Sequence, residues 1–281
     1  MNNPLVSIII PTYNRPKYLQ RAIESSLKQT YSNIEVIVID DNSNYNPLTI
    51  IEGFKDNRIK YYKNSVNRGS VFSRNRGLSL CSGNYVNFLD DDDEILPQKI
   101  EFQVAKFKES NVENLGVVSC DMEYKRKDIN TLKKNHLKGN IYKKLLKQYC
   151  IYGIHSMLIK KEFTPKFDLN LKSSQEYDLS IRLARRCNFD YVPKKLAVTH
   201  TSENQISFNY KKKIDGTKYL FKKYQSEYLR FGAKFYIYNW FRFRYLLLRY
   251  FILLKLSVSQ INELLYTIHN KLVKTLQKLR K

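Results

Sequence analysis

The sequence predicts an α/β fold in which a mostly parallel sheet carries helices on both faces. Short apolar runs rich in β-branched residues alternate with segments of helical periodicity in the first part of the chain. Strand, helix and strand in that order form right-handed units with parallel strands. Polar residues directly follow three of the apolar runs, and in such sheets ligands bind beyond the carboxyl ends of the strands. We therefore expect a Rossmann-like, doubly wound sheet with a ligand crevice at those ends.

The apolar pattern places the individual strands and helices. Strands are predicted at residues 5–10, 34–39, 59–62 and 85–89, and then near 117–122, 157–159 and 196–199. Helices are predicted at residues 16–29, 71–80 and 97–108, and then near 141–148 and 177–186. Asn14 is the predicted N-cap of the first helix, and Pro16 lies near its first helical position.

Length and composition favour a globular protein in a reducing compartment. The 281 residues are 43% hydrophobic, which is enough for a sizeable core. The four cysteines are widely separated and include no CxxC pair, so they indicate neither a zinc site nor a disulfide framework. The apolar run at residues 5–10 is too short for the apolar region of a signal peptide, and we expect it to be the first buried strand.

The positive charge of the protein is concentrated toward its C-terminus. The formal net charge is +23, and a basic excess of this size usually indicates a polyanionic partner. Residues 205–281 contain 17 Lys and Arg against three acidic residues, which is a net +14. The composition also changes to Lys, Tyr, Phe and Leu after His200, and this change places a domain boundary near residues 201–207.

Three of the predicted strands end in distinctive polar residues. Pro11-Thr-Tyr-Asn14 follows the first strand, Asp40-Asp-Asn-Ser43 the second and Asp90-Asp-Asp-Asp93 the fourth. Clustered carboxylates suit Mg²⁺ or Mn²⁺, which takes oxygen ligands and commonly holds substrate phosphates as well. The sequence lacks the GxxxxGK[ST] and GxGxxG phosphate loops, so a cation helped by Arg68 and Arg74 is expected to hold a diphosphate.

These segments resemble the successive motifs of the family 2 inverting glycosyltransferases, which have the GT-A fold. The motifs are residues 6–15 (VSIIIPTYNR), 34–43 (IEVIVIDDNS), 67–70 (NRGS), 73–75 (SRN) and 83–93 (GNYVNFLDDDD). The resemblance is weaker beyond Leu115. It implies a metal-dependent hexosyltransferase with a GT-A catalytic domain at residues 1–205, of which 1–123 form the nucleotide-sugar half and 124–205 the acceptor half. A basic helical extension follows at residues 206–281.

The resemblance also implies roles for residues of the donor site. Tyr13 is expected to pack against the nucleobase and Asp41 to hydrogen-bond it, with UDP as the nucleotide. Asp90 and Asp92 match the two ends of the metal-binding D-x-D motif, with Asp92 as the ligand of Mn²⁺ or Mg²⁺ and Asp90 closer to the ribose. His200 is expected either to ligate the metal or touch the diphosphate, or to be an ordinary loop histidine. The other residues expected in the donor site are Pro11, Arg68, Arg74 and Asp91.

The catalytic base is expected in the second half of the domain. Residues 175–182 are similar to the family's segment that carries the base at the start of a helix, and Glu176 stands where the family most often has Asp. An inverting transfer needs one general base to take the proton of the acceptor hydroxyl. Glu176 is the expected base and Asp178 the alternative. Arg182 is expected to pair with an acid, and His155 is a candidate for the acceptor pocket.

The C-terminal segment predicts a basic amphipathic helix. Residues 235–258 are rich in aromatic residues and Leu, but Arg and Lys interrupt every window of the ~20 apolar residues that a membrane-spanning helix needs. Cations beside aromatic rings suit a helix that lies on an anionic membrane surface. We therefore expect a peripheral protein at the cytoplasmic face of the membrane, with a glycan or glycolipid acceptor in surface polysaccharide or glycolipid synthesis. A lid on the catalytic domain or the contact of a homodimer is the alternative role.

Two other classes of protein share some of these features. A sugar nucleotidyltransferase has a similar sheet and acidic metal site, but it normally has a Gly-rich nucleotide loop, which residues 11–14 do not provide. A non-catalytic protein that binds lipid or nucleic acid explains the charge but leaves the Asp clusters without a role. The sequence therefore favours the transferase, with no nucleic acid as partner.

Overall fold

The computed structural model describes residues 3–125, 129–200 and 209–255, and the chain divides into two compact units. The first unit comprises Met1–Asn170 and Gln175–Glu203, and the second comprises Leu171–Ser174 and Asn204–Lys281. All the described strands belong to the first unit. The boundary predicted near residues 201–207 and the end of the predicted tail helix, residues 256–258, lie outside the described residues.

The first half of the sheet is parallel, as predicted. Its strands, in the spatial order β3-β2-β1-β4, are β1 (Val6–Thr12), β2 (Ile34–Asp40), β3 (Ile59–Lys63) and β4 (Tyr85–Phe88). Every residue of β1 and β2 is buried, as expected of parallel strands that are covered on both faces. The helices of this half are α1 (Pro16–Leu27), α2 (Leu48–Gly53) and α3 (Ser70–Leu80). Helix α2 has no fully buried residue and is only six residues long, and the sequence analysis does not predict it.

The second half of the sheet is mixed. Its strands are β5 (Asp93–Ile95), β6 (Leu115–Lys125), β7 (Asn130–Lys133), β8 (Leu158–Lys160) and β9 (Asn188–His200). The order continues from β4 through β8, β6 and β9 to β5, and β7 pairs with β6. Strand β8 is antiparallel to both β4 and β6, so the sheet changes direction there. The helices are α4 (Lys99–Glu109), α5 (Tyr142–Lys147) and α6 (Gln175–Ala184), with 3-10 turns at Ile154–Ser156 and Lys161–Phe163.

Helix α3 lies close against the parallel strands because it has a glycine at the contact. A Cβ atom on Gly77 would collide with the side chain of Ile9 in β1 and would stand 3.4 Å from Ile39 Cγ1 in β2. The absence of a side chain thus lets the helix backbone approach the sheet. Arg74, about one turn before Gly77, is thereby brought into the buried region near the strand ends.

The start of α1 differs from the prediction. Arg15 occupies the N-cap position instead of Asn14, and no side chain caps the helix. Asn14 has a φ of 55°, in the left-handed region that Asn tolerates better than most residues. Its Oδ1 accepts a hydrogen bond from the backbone N–H of Asn44 at 2.8 Å. The Asn14 side chain therefore joins the loops after β1 and β2 and is not available to cap α1.

The second unit contains two helices joined by a short turn, α7 (Tyr210–Arg230) and α8 (Ala233–Lys255). Asn209 caps α7, since its side chain accepts a hydrogen bond from the backbone N–H of Lys212 at 3.0 Å. Gly232 makes the turn with a φ of 98°. Phe221 of α7 stacks on Phe243 of α8 with ring centroids 4.4 Å apart. Within the described residues, no helix combines the length and the apolar character that a membrane span requires.

Candidate active site

The loops after β1, β2 and β4 meet at one end of the parallel strands. The backbone N–H of Asp41 donates to the carbonyl of Thr12 at 2.9 Å. The backbone N–H of Asn14 donates to the hydroxyl of Ser43 at 2.9 Å. The Thr12 hydroxyl donates to Asp91 Oδ2 at 2.8 Å. These three bonds bring polar residues of three separate motifs together, at the strand ends where the sequence predicts the crevice.

Asp41 organises the loop that precedes α3. Its buried carboxylate accepts hydrogen bonds from the backbone N–H of Gly69 at 2.6 Å, from that of Arg68 at 3.0 Å and from Asn64 Nδ2 at 2.7 Å. The guanidinium of Arg68 lies over the Phe72 ring, 3.7 Å from its centroid. The carboxylate that is expected to hydrogen-bond the nucleobase thus also fixes residues 64–69, and Arg68 contributes its backbone to the site.

Tyr13 and Pro11 occupy different environments at the end of β1. The Tyr13 side chain is 43% exposed, which leaves its ring accessible to a nucleobase. Pro11 is buried within β1, opposite Ile39 of β2. Its contribution is therefore to position the loop that carries Tyr13.

Two arginines form ion pairs with carboxylates of the acidic run, residues 90–93, which follows β4. Arg74 of α3 is buried and pairs with Asp90. Arg15 pairs with Asp91 Oδ1 at 3.2 Å and with Asp92 Oδ2 at 3.0 Å. The sequence analysis identifies Arg74 as an assisting residue but assigns no role to Arg15. The one feature of the sequence that could have indicated Arg15 is its place in the first motif. Positive charge therefore reaches the acidic run from two separate segments.

Burial and mutual repulsion determine the protonation of the acidic run. Burial raises the pKa of Asp91 to about 7; Arg15 opposes this shift, and the charges of Asp92 and Asp90 add to it. The pKa of Asp92 is also raised, by burial and then by its acidic neighbours. Burial acts to raise the pKa of Asp90 too, but the charge and hydrogen bond of Arg74 outweigh it and lower that pKa. A cation is favoured here because it relieves the remaining repulsion between carboxylates.

The acidic run fits a divalent cation that substrate phosphates help to hold. Mg²⁺ usually binds through one or two carboxylates plus phosphates, and Asp92 with its neighbour Asp91 supplies that number. Across residues 3–125, 129–200 and 209–255, no three His, Cys, Asp or Glu side chains form a group that holds a metal by itself. His200, the other predicted ligand, lies with its Nε2 2.6 Å from Glu94 Oε2. A divalent cation at Asp92 would therefore need substrate phosphates to complete its coordination.

Glu176 lies in the first turn of α6 and interacts with the acidic run from the second half of the domain. Burial and the charge of Asp90 raise its pKa, while Arg74 opposes the shift. The hydroxyl of Tyr149 is 3.4 Å from its Oε2. A carboxylate with a raised pKa is a more effective proton acceptor near neutral pH. The expected base thus stands close to the expected donor site.

Asp178, the alternative base, is held in a buried ion pair. Its Oδ2 is 2.8 Å from both Nε and Nη2 of Arg182, and its side chain is fully buried. Arg182 Nη1 also donates to the carbonyl of Lys166 at 2.6 Å. Arg182 therefore pairs with an acid of its own helix, as the sequence predicts. The geometry gives Asp178 a structural role and leaves Glu176 as the carboxylate of α6 that interacts with the acidic run.

His155 is buried beside the acidic run, so its predicted place in an acceptor pocket is wrong. Its side chain is 1% exposed, and its Nδ1 lies 3.0 Å from Asp93 Oδ2. Its Nε2 is 3.4 Å from the hydroxyl of Thr199. Burial acts to lower the pKa of His155, but the charges of Asp93 and Asp90 outweigh it and raise that pKa. A ring enclosed to this degree cannot meet an acceptor, and it contacts the Asp93 carboxylate instead.

Comparison with known proteins gives the family. Residues 7–163 match the model of Glycosyl transferase family 2. The chain belongs to glycosyltransferase family 2. The matched part includes all of β1 except its first residue, the acidic run and Arg74, and it ends before Glu176.

Two named relatives are bacterial glycosyltransferases. The chain is 28% identical over 250 residues to the putative colanic acid biosynthesis glycosyl transferase WcaA of Escherichia coli K12, over 86% of this chain and 89% of that protein. It is 30% identical over 199 residues to the UDP-Glc:alpha-D-GlcNAc-diphosphoundecaprenol beta-1,3-glucosyltransferase WfgD of Escherichia coli, over 68% of this chain and 74% of that protein. Similarity to these two glycosyltransferases thus covers 86% and 68% of the chain.

A solved structure shares the fold. S. aureus TarS 1-349 in complex with UDP superposes on 77% of this chain with a TM-score of 0.60 and 21% sequence identity, and the match spans 65% of the TarS chain. At this identity the likeness concerns the fold. The predicted GT-A fold with helices after it is confirmed.

Proposed function

We propose that the protein is an inverting, metal-dependent glycosyltransferase that moves a hexose from a UDP-sugar to a glycan or lipid-linked acceptor. The observation that carries the proposal is the position of Glu176, whose raised pKa results from burial and from Asp90 of the acidic run. An inverting transfer needs one base for the acceptor hydroxyl and a separate site for the departing diphosphate. Glu176 supplies the first, and the acidic run is suited to the second.

In the proposed reaction, Glu176 accepts the proton of the acceptor hydroxyl while that oxygen attacks the anomeric carbon of the donor. The bond from the anomeric carbon to the UDP oxygen breaks on the opposite face, which inverts the configuration. Arg74 lowers the pKa of Asp90 against the effect of burial, so Asp90 stays charged and can accept hydrogen bonds from the donor ribose. The base and the donor contacts thus come from α6 and from the loop after β4.

Asp92, with Asp91, is the proposed ligand of Mn²⁺ or Mg²⁺. The bound cation supplies positive charge to the departing diphosphate. His200 is the second candidate for contact with metal or diphosphate, and its bond to Glu94 fixes the orientation of its ring. Arg15 pairs with both Asp91 and Asp92 and offsets part of their negative charge.

UDP is the proposed nucleotide of the donor. WfgD is named for a UDP-Glc donor, and S. aureus TarS has been solved with UDP and with UDP-GlcNAc. The accessible ring of Tyr13 is consistent with packing on a nucleobase.

Asp92→Ala tests the metal and donor assignment. The substitution removes one carboxylate without opening a core cavity, so the melting temperature should stay within a few degrees. We expect calorimetry to show a fall of about 10-fold or more in UDP affinity in the presence of Mn²⁺. Glu24→Ala, which removes an exposed acid of α1, is the matched control and should retain the affinity. Unchanged UDP affinity in Asp92→Ala would contradict the proposal that Asp92 is a metal ligand.

A donor-hydrolysis assay distinguishes a transferase from the two alternative classes, a sugar nucleotidyltransferase and a non-catalytic binding protein. Among the three classes, we expect only the transferase to release UDP from a UDP-sugar, and to do so faster with Mn²⁺ than after chelation with EDTA. A sugar nucleotidyltransferase instead forms or cleaves the bond between nucleotide and sugar phosphate, and a lipid- or nucleic-acid-binding protein releases nothing.

The second part of the proposal is that α8 lies on the anionic, cytoplasmic face of the membrane. WfgD is named for an acceptor linked to diphosphoundecaprenol, which is a membrane lipid. Helix α8 contains five Lys and Arg and no acidic residue. Each cation near an anionic surface contributes about 1 kcal/mol, so the charge of this helix is complementary to such a surface.

One face of α8 exposes large apolar side chains, which we call the α8 stripe: Ile237, Phe241, Tyr245 and Leu248. Their exposed fractions are 51%, 63%, 63% and 60%. At ~100° per residue these four positions fall within an arc of ~80°. Arg244 is exposed next to them. An exposed apolar stripe with adjacent cations suits a helix that lies in the headgroup region of a bilayer.

A triple substitution in the full chain, Phe241→Ser, Tyr245→Ser and Leu248→Ser, tests the membrane contact. Each buried side chain of this size contributes about 1.5–3 kcal/mol, so co-sedimentation with phosphatidylglycerol vesicles should weaken by about 100-fold or more. Ile129→Ser with Leu132→Ser removes equally exposed apolar side chains of the first unit and should leave vesicle binding unchanged. Undiminished binding by the triple variant contradicts the proposal. A change in oligomeric state or in melting temperature would favour the homodimer or the lid.

A further inference from the structure

We propose that the ring of Tyr149 is a platform for the acceptor sugar, so that one side chain contacts both the acceptor and the catalytic base. The inference rests on the proposed function, because it takes Glu176 as the base. The ligand class is a pyranose that presents an apolar C–H face to the ring and a free hydroxyl to Glu176.

Tyr149 lies where an acceptor hydroxyl has to arrive. Its Oη is 3.4 Å from Glu176 Oε2. A general base has to lie within about 2.6–3.2 Å of the oxygen that it deprotonates, so an acceptor hydroxyl at Glu176 also stands within a few ångströms of Tyr149. Asp90 and Arg74 act on the same carboxylate and belong to the proposed donor site. Tyr149 is a neutral, aromatic neighbour of the base and belongs to neither the acidic run nor α3.

The Tyr149 side chain is accessible to solvent although it lies beside Glu176. The side chain is 40% exposed. Burial, and then the charge of Glu176, raise the pKa of its hydroxyl well above the ordinary value. Its ring is therefore accessible to a ligand that reaches Glu176. Aromatic side chains beside a few polar groups are typical of sites for small ligands.

Packing and hydrogen bonds hold the Tyr149 segment in place. The Tyr177 ring of α6 lies against Tyr149 with centroids 5.1 Å apart, and the Tyr177 hydroxyl donates to the carbonyl of Leu145 at 2.6 Å. The segment continues to Tyr152, whose backbone N–H donates to Asn135 Oδ1 at 2.8 Å. Asn135 Nδ2 in turn donates to the carbonyl of Tyr152 at 3.0 Å. A ring fixed in this way loses little conformational entropy when a sugar binds.

Two substitutions separate the ring of Tyr149 from its hydroxyl. Tyr149→Phe keeps the flat ring and removes the hydroxyl, whereas Tyr149→Leu keeps apolar bulk and removes the flat face. Tyr238→Leu is the matched control, since Tyr238 is a comparably exposed tyrosine of α8. The probes are the methyl glycosides of glucose, galactose and N-acetylglucosamine, measured by saturation-transfer NMR on the full chain with UDP and Mg²⁺ present.

We expect the unmodified protein to bind at least one of these glycosides. Tyr149→Leu should weaken that binding by about 10-fold, which corresponds to the ~1.4 kcal/mol expected when an aromatic contact is lost. Tyr149→Phe should change it by less than about threefold, and Tyr238→Leu should leave it unchanged. The affinity for UDP, measured by calorimetry, should remain the same in all variants.

Several results would contradict the proposal that the Tyr149 ring contacts the acceptor sugar. One is equal glycoside affinity in Tyr149→Leu and the unmodified protein, and another is no glycoside binding by the unmodified protein. If Tyr149→Phe loses as much affinity as Tyr149→Leu, the hydroxyl and not the ring carries the contact. A tyrosine that only positions Glu176 would slow donor hydrolysis in Tyr149→Phe and leave glycoside binding intact in Tyr149→Leu. Failure of the proposed function is distinct, because the unmodified protein then fails to bind UDP.

Discussion

Glu176 and Asp178 are two residues apart on α6 and have opposite environments. Residues at this spacing point about 200° apart around a helix, so they cannot share one contact. Asp178 is fully buried against Arg182, whereas Glu176 is partly exposed and interacts with the acidic run. The helix therefore separates a structural carboxylate from the proposed catalytic one.

Glu176→Gln should retain UDP binding and lose transfer. Glutamine preserves the shape of the side chain but cannot accept a proton, and the loss of a general base lowers turnover by about 10²-fold or more. Turnover is measured as UDP released from UDP-sugars, and UDP affinity by calorimetry. Glu162→Gln, at an exposed acid of the same unit, serves as the control. Normal turnover in Glu176→Gln together with loss of turnover in Asp178→Asn would show that Asp178, and not Glu176, is the catalytic base.

The pH dependence of the reaction follows from the raised pKa of Glu176. The base works in its deprotonated form, so activity rises with pH through that pKa. Because burial and Asp90 raise it, the acid limb of the kcat/KM profile should lie above the ordinary glutamate value of about 4.3. A limb at the ordinary value would argue that Glu176 is not the titrating base.

Asp178→Asn should destabilise the first unit. Breaking a buried ion pair by removing the charge of one partner costs about 3 kcal/mol in the free energy of unfolding. The exposed pair of Glu24 and Lys28 has the same i,i+4 spacing, so Glu24→Gln is the control and should cost about 0.5 kcal/mol or less. Urea unfolding of both variants measures the difference, and equal costs would show that Asp178 is not structural.

The site residues that the sequence identifies lie within single motifs, and those it misses depend on contacts between segments. Asp41, Asp90 and Arg74 follow from the order of residues in their own motifs. Arg15 acts on Asp91, which is 76 residues away, and Tyr149 acts on Glu176, which is 27 residues away. No local sequence pattern predicts contacts between residues so far apart in the chain, because these contacts result from the packing of the sheet and helices.

At the scale of elements, burial decides what the sequence can predict. Strands β1 and β2 are buried at every position and therefore appear as continuous β-branched runs. Strand β7 alternates between exposed and half-buried residues, and β5 is three residues long and begins inside the acidic run. Neither leaves an apolar signal, so the sequence does not predict them.

Gly77→Ala should destabilise the contact between α3 and the sheet. The added methyl group meets Ile9 in a packed core, and overpacking of this kind costs about 1–3 kcal/mol in the free energy of unfolding. Gly53→Ala, at the end of α2 with no atom near the new methyl group, should be neutral or stabilise by up to about 1 kcal/mol. Urea unfolding compares the two, and the same effect in both would contradict the close approach of α3.

For the whole molecule, the net charge of +23 should make the proposed membrane attachment sensitive to salt. Electrostatic attraction is screened beyond about 10 Å at 0.1 M salt and beyond about 3 Å at 1 M. Binding to vesicles, measured by co-sedimentation, should therefore weaken as NaCl is raised across this range. The apolar contacts of the α8 stripe should leave some binding at the highest salt concentration. Binding that is independent of salt, or equal on neutral phosphatidylcholine vesicles, would show that charge is not involved.

Arg15 gives the protein an internal counterion. Its guanidinium stands 3.2 Å from Asp91 and 3.0 Å from Asp92, so the chain itself offsets part of the negative charge of the acidic run. We therefore expect folding not to depend on manganese or magnesium, because Arg15 already supplies positive charge at the proposed metal site. Chelation with EDTA should therefore return the melting temperature of the loaded protein to its ligand-free value and no lower. A further fall would mean that the metal, and not Arg15, holds the acidic run together.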